Sequence, residues 1–153
     1  MERSMPIMNA TAQIRGGNGY PDLYGTAVFA QTERGVLVTV KVHNLPKGSP
    51  CNGGIFALHI HEGGSCTGTA ADQFSEAGTH YNPLRCPHPY HAGDLPPLFG
   101  NDGFAYMSVL TDRFTVGEII GKVIVVHAGK DDFSTQPAGN AGTKIGCGRI
   151  VRG

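Results

Sequence analysis

Apolar and polar residues alternate over several short stretches of this chain and almost nowhere recur at helical spacing. Ile7–Arg15, Tyr24–Gln31 and Val36–His43 each read as a strand with one buried face, because strand side chains point to alternate sides. Thr32-Glu33-Arg34-Gly35 between the last two reads as a hairpin turn. In Gly54–His61, Phe56, Leu58 and Ile60 are expected to face the core, and Ala57, His59 and His61 the other side. Phe104–Leu110, a segment within Gly117–His127, and Lys144–Val151 complete the predicted strands. Only Thr115–Ile120 has room for a short helical turn. Residues 62–102 break the pattern, being rich in Gly, Pro, Cys and His without a long apolar run. A loop of that length in a compact domain is expected to be functional or pinned. Strands at short spacing predict an all-β antiparallel sandwich or barrel.

The chain length, 153 residues, fits one domain over 1–153, and no internal repeat or linker divides it. The 23 glycines and 10 prolines fall between apolar runs, which makes them turn residues and not signs of disorder. Twelve basic and 12 acidic residues cancel, so no general pull toward nucleic acid or an anionic membrane is expected. No stretch is long enough to span a bilayer. Met1–Pro6 lacks the apolar run of a secretory leader, which points to the cytoplasm. The four cysteines, an even number, point instead to an oxidising space.

The histidines carry the candidate chemistry. His59 and His61 share one face of one strand, their Cα atoms roughly 7 Å apart, which lets two imidazoles converge on one ion. Two solvated histidines on a sheet face are the plainer reading. His80, His88, His91 and Asp94 follow as His-x7-His-x2-His-x2-Asp inside the Gly/Pro-rich loop. Three imidazoles and a carboxylate make a natural tetrahedral zinc set, against the alternative of a merely polar loop. His127 ends the apolar run Val123–Val126 and, taken alone, reads as a satisfied core histidine. His43 reads as a surface or strand-end residue.

Taken together, several segments resemble the copper/zinc superoxide dismutase family. They are His59-Ile60-His61-Glu62-Gly63-Gly64, Gly78-Thr79-His80-Tyr81-Asn82-Pro83, His91-Ala92-Gly93-Asp94-Leu95, Val126-His127, and Gly139-Asn140-Ala141-Gly142 with Cys147-Gly148. They fall in the family's order and run from about residue 7 to the end of the chain. The resemblance, of bacterial type, implies a Greek-key sandwich or barrel of about eight strands with long metal-binding loops. It implies an enzyme, an antioxidant oxidoreductase turning two superoxide anions into oxygen and hydrogen peroxide by Cu(II)/Cu(I) cycling. It assigns copper to His59, His61, His80 and His127, and zinc to His80, His88, His91 and Asp94. His80 then serves as shared ligand and proton shuttle, and Asp131 orients one histidine of each metal through hydrogen bonds. Cys66 and Cys147 match the family's disulfide. Cys51 and Cys86 are expected to form a second bridge, the rival readings being free thiols or Cys86 as a zinc ligand.

Two positions depart from the family. Only Pro89-Tyr90 separates His88 from His91, a shortened zinc loop. Lys144 stands where the family places an arginine, with Arg149 a further cation nearby in sequence. Lysine offers a compact point charge in place of a planar fork of donors, so Lys144 is expected to attract superoxide with weaker orientation. A catalytically inactive metal-binding domain of the same fold and a zinc hydrolase are the competing classes. Pairing as a homodimer is left open by the sequence.

Overall fold

Period-two alternation is realised strand by strand in a computed structural model that describes residues 8–153. Ile7, proposed as the first strand residue, lies outside the described residues. Strands β1 (Asn9–Gly16), β2 (Tyr24–Thr32) and β3 (Gly35–His43) form an antiparallel meander. Val36, Val38, Val40 and Val42 of β3 point into the barrel, while Leu37, Thr39 and Lys41 point out. The β2–β3 turn falls where the polar break predicts it. Thr32 Oγ1 donates to the Gly35 carbonyl at 2.7 Å, and Gly35 takes φ +139° there.

The remaining strands are β4 (Ile55–His61), β5 (Asp94–Phe99), β6 (Ala105–Thr111), β7 (Val123–His127) and β8 (Lys144–Arg152). A four-residue helix, α1 (Val116–Ile119), occupies the expected helical turn. All pairings are antiparallel, in the order β5-β4-β7-β8-β1-β2-β3-β6. Edge strands β5 and β6 lie side by side, so the sheet curls into a nearly closed barrel. The β3–β4 and β6–β7 connections cross between non-neighbouring strands, which is the expected Greek-key connectivity.

Strand β5 was hidden within the segment read as loop. Its sequence, Asp-Leu-Pro-Pro-Leu-Phe, has two prolines that cannot donate to a ladder. It is tolerated because β5 is an edge strand, hydrogen-bonded only to β4.

Phe56, Leu58 and Ile60 of β4 enter the barrel core, as expected. The opposite face is not solvated, however: Ala57, His59 and His61 are also buried. Strand β7 behaves likewise. Ile124 and Val126 face the barrel, while Val123 and Val125 pack outside it with Phe74, Ala77, Cys66 and Cys147. That outer cluster seats the segment 62–78 against the sheet. A strand buried on both faces reads as a continuous apolar run, as Val123–Val126 does.

Cys66 and Cys147 are bridged, with Cα atoms 5.7 Å apart. Cys51 and Cys86 are both free, which corrects the expected second bridge. Cys51 sits in the turn before β4, at the end where Ile55 pairs with Phe99. Cys86 belongs to the loop at the other end, where His59 pairs with Asp94 and Tyr81 bonds Ile60. The seven-residue strand β4 separates the two ends by roughly 20 Å, far beyond the span of a disulfide.

Candidate metal centre

The covered outer face of β4 carries the site. Alternation places His59 and His61 there, and β7 delivers His127 beside them through its pairing with β4. His80 reaches the group by a lone bridge to His61. The loop then supplies His88 and His91, and the start of β5 supplies Asp94. All seven side chains except Asp94, which is half-buried, are buried. His43 takes no part; it stacks on Tyr24, ring centroids 4.6 Å apart, and meets the tilted ring of Phe104 at 4.9 Å.

Two adjoining donor groups result. One is His59, His61, His80 and His127; the other contains His59, His80, His88 and Asp94. His91 adjoins the second group, its Nδ1 lying 3.1 Å from His80 Nδ1 and 3.3 Å from an Asp94 oxygen. His59 is near both groups, but its Nε2 is committed to Asp131.

Hydrogen bonding decides which ring nitrogens carry lone pairs. His61 Nδ1 lies 2.9 Å from the Gly78 carbonyl, and His127 Nδ1 lies 3.3 Å from the Gly142 carbonyl. A carbonyl only accepts, so each Nδ1 carries the proton of a neutral imidazole and each Nε2 is bare. Those two bare Nε2 atoms face each other at 3.3 Å. Two lone pairs at that distance repel unless a cation lies between them. Donors on a four-coordinate ion with bonds of about 2.0–2.1 Å stand roughly 3.3 Å apart, which matches.

Asp131 applies the same logic to two more rings. Its Oδ2 accepts from His59 Nε2 at 2.8 Å, and its Oδ1 accepts from His88 Nε2 at 2.7 Å. This leaves His59 Nδ1 and His88 Nδ1 bare, and both are buried without a hydrogen-bond partner. His80 Nε2 and Asp94 Oδ1 are buried and unpartnered as well. His88 Nδ1 is 3.0 Å from Asp94 Oδ2, and His80 Nδ1 is 2.9 Å from Asp94 Oδ1. Unpaired polar atoms in a buried site are costly, so this set of aimed lone pairs fits bound metal and not a packed core. Gly139 makes room for it: a Cβ there would fall 2.0 Å from Asp131 Oδ1 and 2.6 Å from His88 Nε2.

Protonation states agree. Burial, reinforced by neighbouring histidines in both cases, lowers the His61 pKa to about 2 and the His127 pKa to about 3. Burial also lowers His59 and His91. Burial pushes the Asp131 carboxyl up, but hydrogen bonds from His59, His88 and the Phe133 amide outweigh it and hold it well below the usual range. Neutral imidazoles and ionised carboxylates are the ligand forms metals require. A pH dependence follows. The unfolded chain protonates His61 and His127 near pH 6.5, whereas the folded chain does not until far lower. The unfolded state therefore binds more protons below that pH, and stability falls as pH falls. Metal-free protein is expected to lose about 1.4 kcal/mol per pH unit for each of these two histidines below pH 6.5. Urea unfolding at pH 7, 6 and 5 measures this, and a flat profile would contradict it.

A cavity of about 500 Å³ opens over His61, His80 and His127, with Lys144 on its wall. Lys144 Nζ is 2.7 Å from Asp72 Oδ2, so it forms an ion pair with the segment 62–78. Arg149 is exposed on β8, opposite Val123. A larger cleft of about 870 Å³ lies elsewhere, between Arg15, Tyr20 and Lys47, and gathers no such donors. Sequence reasoning missed Asp72, Arg113 and Gln136. Arg113 Nη1 donates to the Pro89 and His91 carbonyls, and Gln136 bonds the His88 main chain. These contacts leave no local pattern from which they could be read.

An eight-stranded antiparallel barrel with two adjoining clusters of aimed imidazole and carboxylate donors defines a binuclear metalloprotein. The chain matches the copper/zinc superoxide dismutase family over residues 23–150. It is 34% identical over 141 residues to superoxide dismutase [Cu-Zn] 1 of Aquifex aeolicus, covering 82% of this chain and 79% of that one. It is 35% identical over 158 residues to superoxide dismutase [Cu-Zn] 2 of the same organism, covering 94% and 86%. Its structure is similar to that of the Cu/Zn superoxide dismutase from Brucella abortus, with a TM-score of 0.77, 27% identity, and 92% and 98% of the two chains covered. The chain belongs to the copper/zinc superoxide dismutase family.

Proposed function

We infer that this chain converts two superoxide anions to oxygen and hydrogen peroxide, with copper held by His59 Nδ1, His61 Nε2, His80 Nε2 and His127 Nε2. Family membership makes it an oxidoreductase with copper and zinc as its cofactors, and no observation favours the inactive alternative. The observation that carries the ligand assignment is the pair of bare nitrogens, His61 Nε2 and His127 Nε2, 3.3 Å apart beside the unpartnered His59 Nδ1 and His80 Nε2. Zinc is assigned to His80 Nδ1, His88 Nδ1, His91 Nδ1 and Asp94. His91 is preferred to His59 as the fourth donor because His59, its Nε2 turned to Asp131, offers only Nδ1, and that atom is assigned to the copper set.

Bound copper supplies the electron exchange, accepting an electron from one superoxide and returning it to a second. The chain's residues do the rest. Asp131 locks the tautomers of His59 and His88 together, so one carboxylate sets the aim of a ring in each cluster. His80 stands between the clusters and is placed to hold a proton on Nε2 for the product. Lys144 attracts the anion into the cavity. Its pairing with Asp72 offsets part of that charge. Lys144→Ala is expected to lower kcat/KM about tenfold and flatten its dependence on ionic strength. Unchanged rates in both Lys144→Ala and Lys144→Arg would remove the steering role.

The decisive experiment loads the protein with copper and zinc and follows superoxide decay. Decay no faster than in buffer would defeat the enzyme reading. Anomalous scattering at the copper and zinc edges tests the ligand sets independently. Among the described residues no helix is long and apolar enough to cross a membrane. The cytoplasmic expectation stays part of this proposal, although the Cys66–Cys147 bridge suits an exported protein as well. Cell fractionation separates the two. Homodimer formation is tested by sedimentation.

A further inference from the structure

His88 presents a positioning problem. It lies in an irregular segment, joined to His91 by only Pro89-Tyr90, yet its ring must point accurately. Irregular backbone has little stiffness of its own. The residue is 2% exposed, so its main-chain N–H and C=O cannot turn to water. Neither group bonds another main-chain group. Both are met by one side chain. The His88 N–H donates to Gln136 Oε1 at 2.8 Å, and Gln136 Nε2 donates to the His88 carbonyl at 2.8 Å.

The turn carrying Gln136 is itself held. The Asp132 carboxylate accepts from the amides of Ser134 and Thr135 at 2.9 and 2.8 Å and from the Thr135 hydroxyl. The Gly139 amide closes the turn on the Thr135 carbonyl at 2.7 Å, and Gln136 Nε2 also donates to the Ser134 carbonyl at 3.0 Å. The same turn begins at Asp131, which holds the His88 ring. One short segment, 131–139, therefore grips His88 at both ends, ring and backbone.

We propose that Gln136 is a positioning residue for the zinc-side cluster, its carboxamide fixing the His88 backbone so that Nδ1 stays aimed beside Asp94 and His91. The inference rests on the zinc assignment given above. Gln136 is exposed and outside both ligand sets, so its replacement leaves the barrel intact. Losing an outer partner of a metal ligand typically weakens affinity 10- to 100-fold. Gln136→Ala is expected to weaken zinc binding at least tenfold, on the order of that range, while copper affinity stays near wild type; the metal-free protein melts a few degrees lower, roughly, because two buried His88 main-chain groups lose their partner. Gln136→Met keeps the length of the side chain without its hydrogen bonds, and is expected to match Ala.

Zinc affinity is measured by competition with a chromophoric chelator, and copper affinity separately from the Cu(II) spectrum. Wild-type zinc affinity in Gln136→Ala would overturn the proposal. So would full recovery in Gln136→Met, because bulk and not hydrogen bonding would then be the cause. Equal weakening of zinc and copper would also overturn it by showing a general structural role. Failure of the wild-type protein to bind zinc at all would instead defeat the zinc assignment, and this inference with it.

Discussion

Replacing His80 by alanine is expected to cut superoxide consumption by at least about a hundredfold and to weaken both metals at once. Losing even an outer partner of a metal ligand costs 10- to 100-fold, and His80 stands closer than that. Its Nε2 is buried and unpartnered on the side of His61 and His127. Its Nδ1 lies 2.9 Å from Asp94 Oδ1 and 3.1 Å from His91 Nδ1 on the other. Four of the other rings each turn one nitrogen away from the donor groups. His59 and His88 each give one nitrogen to Asp131, and His61 and His127 each give one to a carbonyl. Removing any of those four is expected to injure one cluster more than the other. His80→Ala should change the Cu(II) spectrum and lower zinc affinity in parallel. Activity within threefold of wild type, or zinc affinity left intact, would show that the ring is not shared.

Replacing Cys66 by serine is expected to destabilise the protein by about 4 kcal/mol, on a chain-entropy account of closing an 81-residue separation. A domain's whole stability is only about 5–15 kcal/mol, so this is a large share. The loss should reach the site as well. The segment 62–78 is seated by the bridge and by the outer cluster of Phe74, Ala77, Val123 and Val125. That segment carries the Gly78 carbonyl, which fixes the tautomer of His61, and Asp72, which pairs with Lys144. Urea unfolding of Cys66→Ser in the metal-free form measures the stability directly; a loss under 1 kcal/mol would contradict the account. Titration of the denatured, unreduced wild-type protein should find two reactive thiols, Cys51 and Cys86.

Much of this was legible in sequence because it depends on local pattern. Alternation in Val36–His43 sets one face of a strand toward a core whichever sheet it joins, so the strand is readable without its partners. The same alternation puts His59 and His61 on one face. The His80–Asp94 spacing packs four donors into one loop, and that density already pointed to metal. Strand β5 was not legible, since Pro96 and Pro97 argue against a strand unless it is known to lie at an edge. Edge position is a property of the whole sheet.

His127 marks the boundary most clearly. In sequence it ends an apolar run like any core histidine, and only the resemblance to a family proposes it as a copper ligand. The β4–β7 pairing sets it beside His61, and the Gly142 carbonyl decides which nitrogen is bare. The same holds for Asp131, whose two oxygens select the tautomers of His59 and His88, and for Gln136, which holds the latter's backbone. The pairing of Cys51 with Cys86 failed for a related reason, since an even count says nothing about opposite ends of a barrel. The strand pattern and the donor types follow from local residue order, and likeness to a family adds the metals and the reaction. Which lone pairs face one another is set by three-dimensional packing, because one ring nitrogen is bare when the other is hydrogen-bonded, and that bonding partner comes from a distant part of the chain.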